Sequence, residues 1–403
     1  MFRPKLKEME PTPREADAPA RRFVRAVEAR ASFGDRVDRL VPFLSRVDPV
    51  ADAVIDSIGD LPDGAGWKMI ERALKEGIDR VDDPPPALRA FFEAAERVPL
   101  WVDWPTLDRG GSVLFRAGPV GGLVLGAKSL VYGYASPGGN KPLIMSGRLR
   151  EQAARRLNET ARFVQAVCRP GGMRPFADGY QITLKVRLIH AQVRHMLLKS
   201  GRWNAAEWGA PINQHDMAAT TLLFSLVVLE GMRQLGMRIN PRDGDDYMQL
   251  WRYAGHLIGV DPEIQPTSEA EGHRLAEIIS ATQAPPDDDS RALVRALMES
   301  SATGAASATD KALVRHRIQF GYAVCRELVG DTMADDLAVE RTSWRHAVRM
   351  LKRVVRATEQ VRASIPAANR QAIVTGSRYW DRVVAIGLQG ATAEFSLPNR
   401  LAA

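Results

Sequence analysis

The sequence predicts an all-α protein, and three observations carry that expectation. Apolar residues recur at helical spacing through most of the chain, as in Val37, Leu40, Val41 and Leu44. Alternating β-branched runs closed by hairpin turns are scarce. Blocks such as Asp82-Asp-Pro-Pro-Pro86 and Pro285-Pro-Asp-Asp-Asp-Ser290 interrupt the helical patterns where a helix cannot continue. No repeat at a solenoid period is present.

With 403 residues, 45% of them hydrophobic and 26% charged, the chain has globular composition. We expect an arm over residues 1–20, one large helical domain over 21–395 with its functional core at about 95–260, and a tail at 396–403. Two cysteines, Cys168 and Cys325, are too few for a disulfide framework and too far apart for a metal clip, which fits a reducing cytoplasm. No secretory leader pattern opens the chain, and the most apolar segment, 221–229, is too short to span a bilayer. The formal charge of +7 is read as spread along the sequence, so no nucleic-acid partner and no stable membrane insertion are expected.

The elements follow in order. Helical spacing covers residues 21–58, with Pro42 and Pro49 as interruptions or helix starts. Helices follow at 67–81 and 88–97, then a loop-like stretch in which Trp101 and Trp104 anchor the chain to the core. Residues 110–135 contain seven glycines. A phosphate-cradling loop is one reading, but no Gly-x-Gly-x-x-Gly or Gly-Lys-Ser/Thr spacing supports it, and close helix packing is favoured.

Residues 148–168 form a helix in which Leu149, Ala153, Arg156, Thr160, Phe163 and Val167 share one stripe. A buried Arg156 needs an anion or acceptors, and an internal salt bridge is the simplest supply. Residues 186–199 form the next helix of interest. Val186, Ile189, Val193, Met196 and Leu197 fall on one face, with His190 at its edge, Arg187 and Arg194 on the polar side, and His195 pointing away. One apolar helix at 217–235 capped by Asp216, another at 245–257 with His256, one at 268–279, a loop at 300–309, and long helices at 311–329 and 344–364 complete the pattern.

A lone histidine on an apolar face is most often a satisfied core residue. The same histidine between two guanidinium groups also suits an iron porphyrin, with nitrogen for the metal and cations for the propionates, although a solvated helix flank explains the arginines equally well. The absence of His-x-x-x-His disfavours a zinc hydrolase, and the absence of Cys-x-x-Cys-His disfavours covalent haem. No Gly-x-Ser-x-Gly elbow is present.

The strings Arg156-Leu-Asn-Glu-Thr160, Val186-Arg-Leu-Ile-His190, Trp208-Gly-Ala-Pro-Ile-Asn-Gln214 and Trp251-Arg-Tyr-Ala-Gly-His-Leu-Ile-Gly259, with Pro99-Leu-Trp-Val-Asp103 upstream, together resemble the MpaB-type oxygenase and rubber oxygenase (latex clearing protein) family. The resemblance covers about residues 95–260 and implies a globin-like helical core, non-covalent haem b (iron protoporphyrin IX) and oxidative chemistry with dioxygen. By position it makes His190 the axial iron ligand and Arg156 and Thr160 distal-pocket residues, with Arg187 and Arg194 at the propionates. Glu159 stands where rubber oxygenases carry a lysine, and no upstream glutamate matches in 136–147. With no export pattern, these departures point away from polyisoprene towards an apolar, alkene-containing small molecule inside the cell. A haem carrier or sensor of the same fold is the alternative.

Overall fold

The computed structural model describes residues 20–300 and 308–387 except 60, 63, 146 and 147, and gives only the backbone of 148–156 and 308–311. The expected arm at 1–20, except Ala20, and the tail at 396–403 lie outside the described residues, as does most of the loop expected at 300–309. Among the described residues the chain is helical throughout, with a single isolated bridge between Phe23 and Gln283 in place of any strand.

Buried side chains from Phe23 to Trp380 form one connected apolar cluster. The helix Trp104–Ala117 runs through it, started by Asp103, whose carboxylate accepts from the Thr106 amide at 3.1 Å. This helix packs tightly on Pro241–Leu257 and Pro366–Gly387. Its glycines explain the closeness: a Cβ at Gly110 would strike the Asp246 carbonyl and one at Gly111 the Cys168 carbonyl. Gly376, on the last helix, meets the Phe115 carbonyl in the same way. Gly110 and Gly111 thus serve backbone approach, while Gly121, Gly122 and Gly133 lie against side chains and Gly126 has nothing close.

Several boundaries differ from the sequence expectation. Residues 217–235 form two helices, Gln214–Phe224 and Leu226–Gln234, broken at Ser225 (φ −102, ψ −91). The break is matched across the core by a π-helical turn, Leu125–Ser129, whose Ser129 hydroxyl donates to the Leu223 carbonyl at 2.7 Å. Apolar content marked this segment as buried but could not show a bend that a neighbouring hydroxyl satisfies. Nor is Asp216 the cap: Asn213 accepts from the Asp216 amide at 3.0 Å, which leaves the Asp216 carboxylate to hold Arg22. Trp104 opens a helix and packs edge-on to Tyr253 at 5.6 Å, whereas Trp101 is exposed, covered by Arg252 at 4.0 Å. Trp101 nevertheless meets the same buried Tyr253 ring edge-on at 6.2 Å, so both tryptophans reach the core, Trp101 from its rim.

Candidate functional site

The site is built on two consecutive helices, Arg148–Cys168 and Asp178–Lys199, that pack on each other. Their connection is closed by backbone contact: the Tyr180 amide donates to the Gly172 carbonyl at 3.0 Å, and a Cβ at Gly172 or Gly179 would strike the Ala166 carbonyl. Arg162 on the first helix pairs with Asp178 on the second at 2.7 Å. Arg156 lies twelve residues before Cys168, and His190 twelve after Asp178. Each is therefore about 18 Å along its own helix from the connection.

The expected apolar stripe is not the buried face of the His190 helix. Leu184, Leu188, Ala191, Arg194 and Leu197 are buried, whereas Val186, Ile189, Val193 and Met196 remain half-buried. Packing, which a helical wheel does not contain, rotates the core side towards Ala191. His190 sits among the half-buried apolar residues; its Nδ1 is shut off from solvent, so the exposure it retains lies on other atoms. This side of the helix is therefore neither sealed in the core nor fully open to solvent.

Arg187 and Arg194 do not lie on a solvated flank. The helix Pro49–Gly59 presents Asp48, Asp52 and Asp56 at four-residue spacing, one above the other, towards the His190 helix. Asp48 accepts from Arg187 Nε at 2.6 Å and Nη2 at 2.9 Å, a bidentate pair. Asp52 pairs with Arg194, whose side chain is 3% exposed and which also donates to the Pro211 and Ile212 carbonyls. Asp56 meets His195 at 3.2 Å. Burial holds the Asp52 carboxyl above its ordinary value, and Arg194 offsets this only in part, with Asp48 and Asp56 adding repulsion. The fit at Arg187 requires Gly259: its φ is +89°, and a Cβ there would crowd Arg187 Nε at 2.6 Å. The ladder of carboxylates was legible as Asp48-x-x-x-Asp52-x-x-x-Asp56, but only the fold shows that it faces the arginines.

On the neighbouring helix Thr160 and Glu159 are both half-buried, so Glu159 is not a plain surface residue. The side chain of Arg156 lies outside the described residues. Phe163, Val164, Val167 and Cys168 are buried below them, and burial pushes the Cys168 thiol far above its usual range, so it is inert as a thiolate.

An open cleft of ≈ 340 Å³ borders the middle of the His190 helix at Arg187, lined also by Asp48, Gln214, His256, Gly259 and Asp261 among others. Gln214 ties its walls together, donating to the Val47 and Gly259 carbonyls and accepting from the Asp261 amide. Burial, with Arg187 and Arg252 nearby, lowers the His256 pKa and keeps the imidazole neutral. Among the described residues no group of three or more His, Cys, Asp or Glu could hold a bare metal ion.

A profile of the family described as ER-bound oxygenase mpaB/B'/Rubber oxygenase, catalytic domain, matches residues 104–360. The chain belongs to this family. The match runs about a hundred residues past the 95–260 segment on which the motifs fall, so the family's catalytic domain takes in helices as far as Arg345–Ser364. A rubber oxygenase of Streptomyces sp. (strain K30) is 30% identical over 244 residues, 59% of this chain and 58% of that protein. The chain thus spans less than two thirds of the curated relative's length. The structure of a latex clearing protein in the closed state aligns with a TM-score of 0.66 at 24% identity, covering 84% of this chain and 88% of that one, which shows a shared all-helical fold.

Proposed function

We propose that this family member is a haem b-dependent oxygenase that uses dioxygen to oxidise an apolar, alkene-containing small molecule. The observation that supports the reading is His190, an imidazole set among half-buried apolar residues on the helix that packs against the one carrying Arg156. The neighbouring carboxylates are committed to Arg187, Arg194 and His195, and a single imidazole suits an iron whose other ligands come from a macrocycle. Bound haem supplies the redox centre through which dioxygen, unreactive alone towards a closed-shell alkene, is used.

The chain's own residues do the rest. His190 would hold the iron on one side, while Val186, Ile189, Val193 and Met196 exclude water from that wall and favour a flat apolar ligand. Arg156 and Thr160 would orient dioxygen or ordered water from the opposite helix, and Glu159 would place an acid/base group one residue from Thr160. Arg187 and Arg194 would meet propionates only as members of existing ion pairs, so their first contribution is to fix the angle at which His190 is presented.

The test is the absorption spectrum and extractable haem content of the purified protein beside His190→Ala. We expect a Soret band with stoichiometric haem b that is lost or strongly shifted in the variant; equal haem content with an unchanged spectrum would refute His190 as ligand. Oxygen consumption on adding apolar alkenes then separates an oxygenase from a haem carrier or sensor.

A further inference from the structure

The even spread of charge read from the sequence does not hold. Residues 345–387 carry nine arginines and lysines against two carboxylates, Glu359 and Asp381, an excess as large as the +7 of the whole chain. The remaining residues balance. The excess falls on two consecutive helices, Arg345–Ser364 and Pro366–Gly387.

The first of these helices has two unlike sides. Towards the body Val348 and Glu359 are buried, Arg362 pairs with Glu359 at 2.7 Å and Lys352 with Glu327. On the outward side Met350, Val354 and Val361 are 55%, 58% and 57% exposed, with Ile365 at 48% just past the helix end. Met350, Val354, Ala357 and Val361 step by four, three and four residues, so they form one apolar stripe along the helix. Arg349 and Arg353 lie along one flank of this stripe, with Arg345 and Arg356 further round towards the body; none of the four has a carboxylate partner among the described residues, and neither do Arg370 and Arg378 on the next helix. Elsewhere, buried and half-buried arginines such as Arg22, Arg116, Arg187 and Arg194 are paired.

We propose that the outward face of Arg345–Ser364 is a docking surface for an anionic lipid bilayer, lying in the plane of the interface with its apolar stripe inserted and its arginines on the headgroups. The pairing of exposed aliphatic side chains with uncompensated cations is what such an interface complements. A second copy of the same helix would set arginine against arginine along the seam, and like charges oppose that contact. Nucleic acid would use the arginines but leave the aliphatic stripe in water. The proposed contact is peripheral, made by one exposed helix face; among the described residues no single helix is long and apolar enough to cross a membrane. It stands apart from the haem reading.

The experiment is co-sedimentation of the full chain with phosphatidylcholine vesicles, with and without about one third phosphatidylglycerol. Val354→Glu/Val361→Glu tests insertion and Arg349→Gln/Arg353→Gln tests headgroup contact, each variant checked by thermal melting. We expect partitioning at least about tenfold stronger on the anionic vesicles, and a loss of about tenfold in the valine variant with the melt unchanged. The arginine variant should weaken binding at low salt and less at high salt. Absence of binding to anionic vesicles overturns the proposal. So does binding indifferent to both variants, a dimer that the glutamates dissolve without any vesicle binding, or salt-sensitive DNA binding in place of lipid. Should the valine variant fail to fold, the arginine variant, altered only at exposed positions, decides.

Discussion

The His190 helix and the Arg345–Ser364 helix are both rich in arginine, and the fold uses the residue in opposite ways. Arg187 and Arg194 are held by Asp48 and Asp52 within the protein, and Arg194 is 3% exposed. Arg349 and Arg353 stand exposed beside an aliphatic stripe with no carboxylate partner among the described residues. A buried guanidinium must be neutralised inside, because leaving it unpaired costs several kcal/mol, whereas an exposed one remains available to a partner. Arginine content alone thus says nothing about ligand binding; whether a carboxylate faces it does.

The comparison breaks most easily at Asp52. Asp52→Ala leaves the Arg194 charge buried and unpaired, and urea unfolding should show a loss of about 3–5 kcal/mol. A loss under 1 kcal/mol would mean that the Pro211 and Ile212 carbonyls suffice for Arg194.

Next comes pH. Burial lowers the pKa of both His215 and His256, so in the folded state these rings stay neutral where the unfolded chain takes up protons. The unfolded state therefore binds more protons below its ordinary histidine value. Stability should be complete above about pH 6.5 and fall as the pH drops from there towards the lower folded values. His256→Gln should flatten this slope in urea midpoints measured across pH 5 to 7.5 or so, and an unchanged slope would remove His256 as a source. The Arg22–Asp216 pair behaves differently. Burial pushes the Asp216 carboxyl up, but Arg22 and His215 outweigh it and hold it well below the usual carboxylate range, so its contribution persists to strongly acid conditions.

The smallest effect sharpens the contrast: Arg353→Ala, at an exposed and unpaired position, should change unfolding free energy by no more than about 0.5 kcal/mol. A larger loss would show that the C-terminal arginines also support the fold.

Much of this was legible in the sequence, because helical periodicity and breakers are local signals. Pro49 at a helix start, the close packing at Gly110 and Gly111 and the helices carrying Arg156 and His190 all follow from spacing. What spacing could not supply was the direction of each face. His190 was placed on a core stripe that proves half-open, and Arg187 and Arg194 on a polar side that faces three carboxylates far away in sequence. The bend at Ser225 depends on Ser129 nearly a hundred residues earlier. Such facts belong to pairs of elements, and one helix read alone does not contain them.

The clamped end of the site hairpin has a mechanical consequence. Gly111 against the Cys168 carbonyl, and Gly172 and Gly179 against that of Ala166, leave no slack where the two site helices meet. Any change in the angle between such a pair would pivot at the clamp and be felt most at the tips. With Arg156 and His190 each on the order of 18 Å from the pivot, a change of 5° or so in the angle between the helices moves their separation by about 1.6 Å. Were the ligand proposed above seated between them, its gap would be set with a lever arm by residues that never touch it.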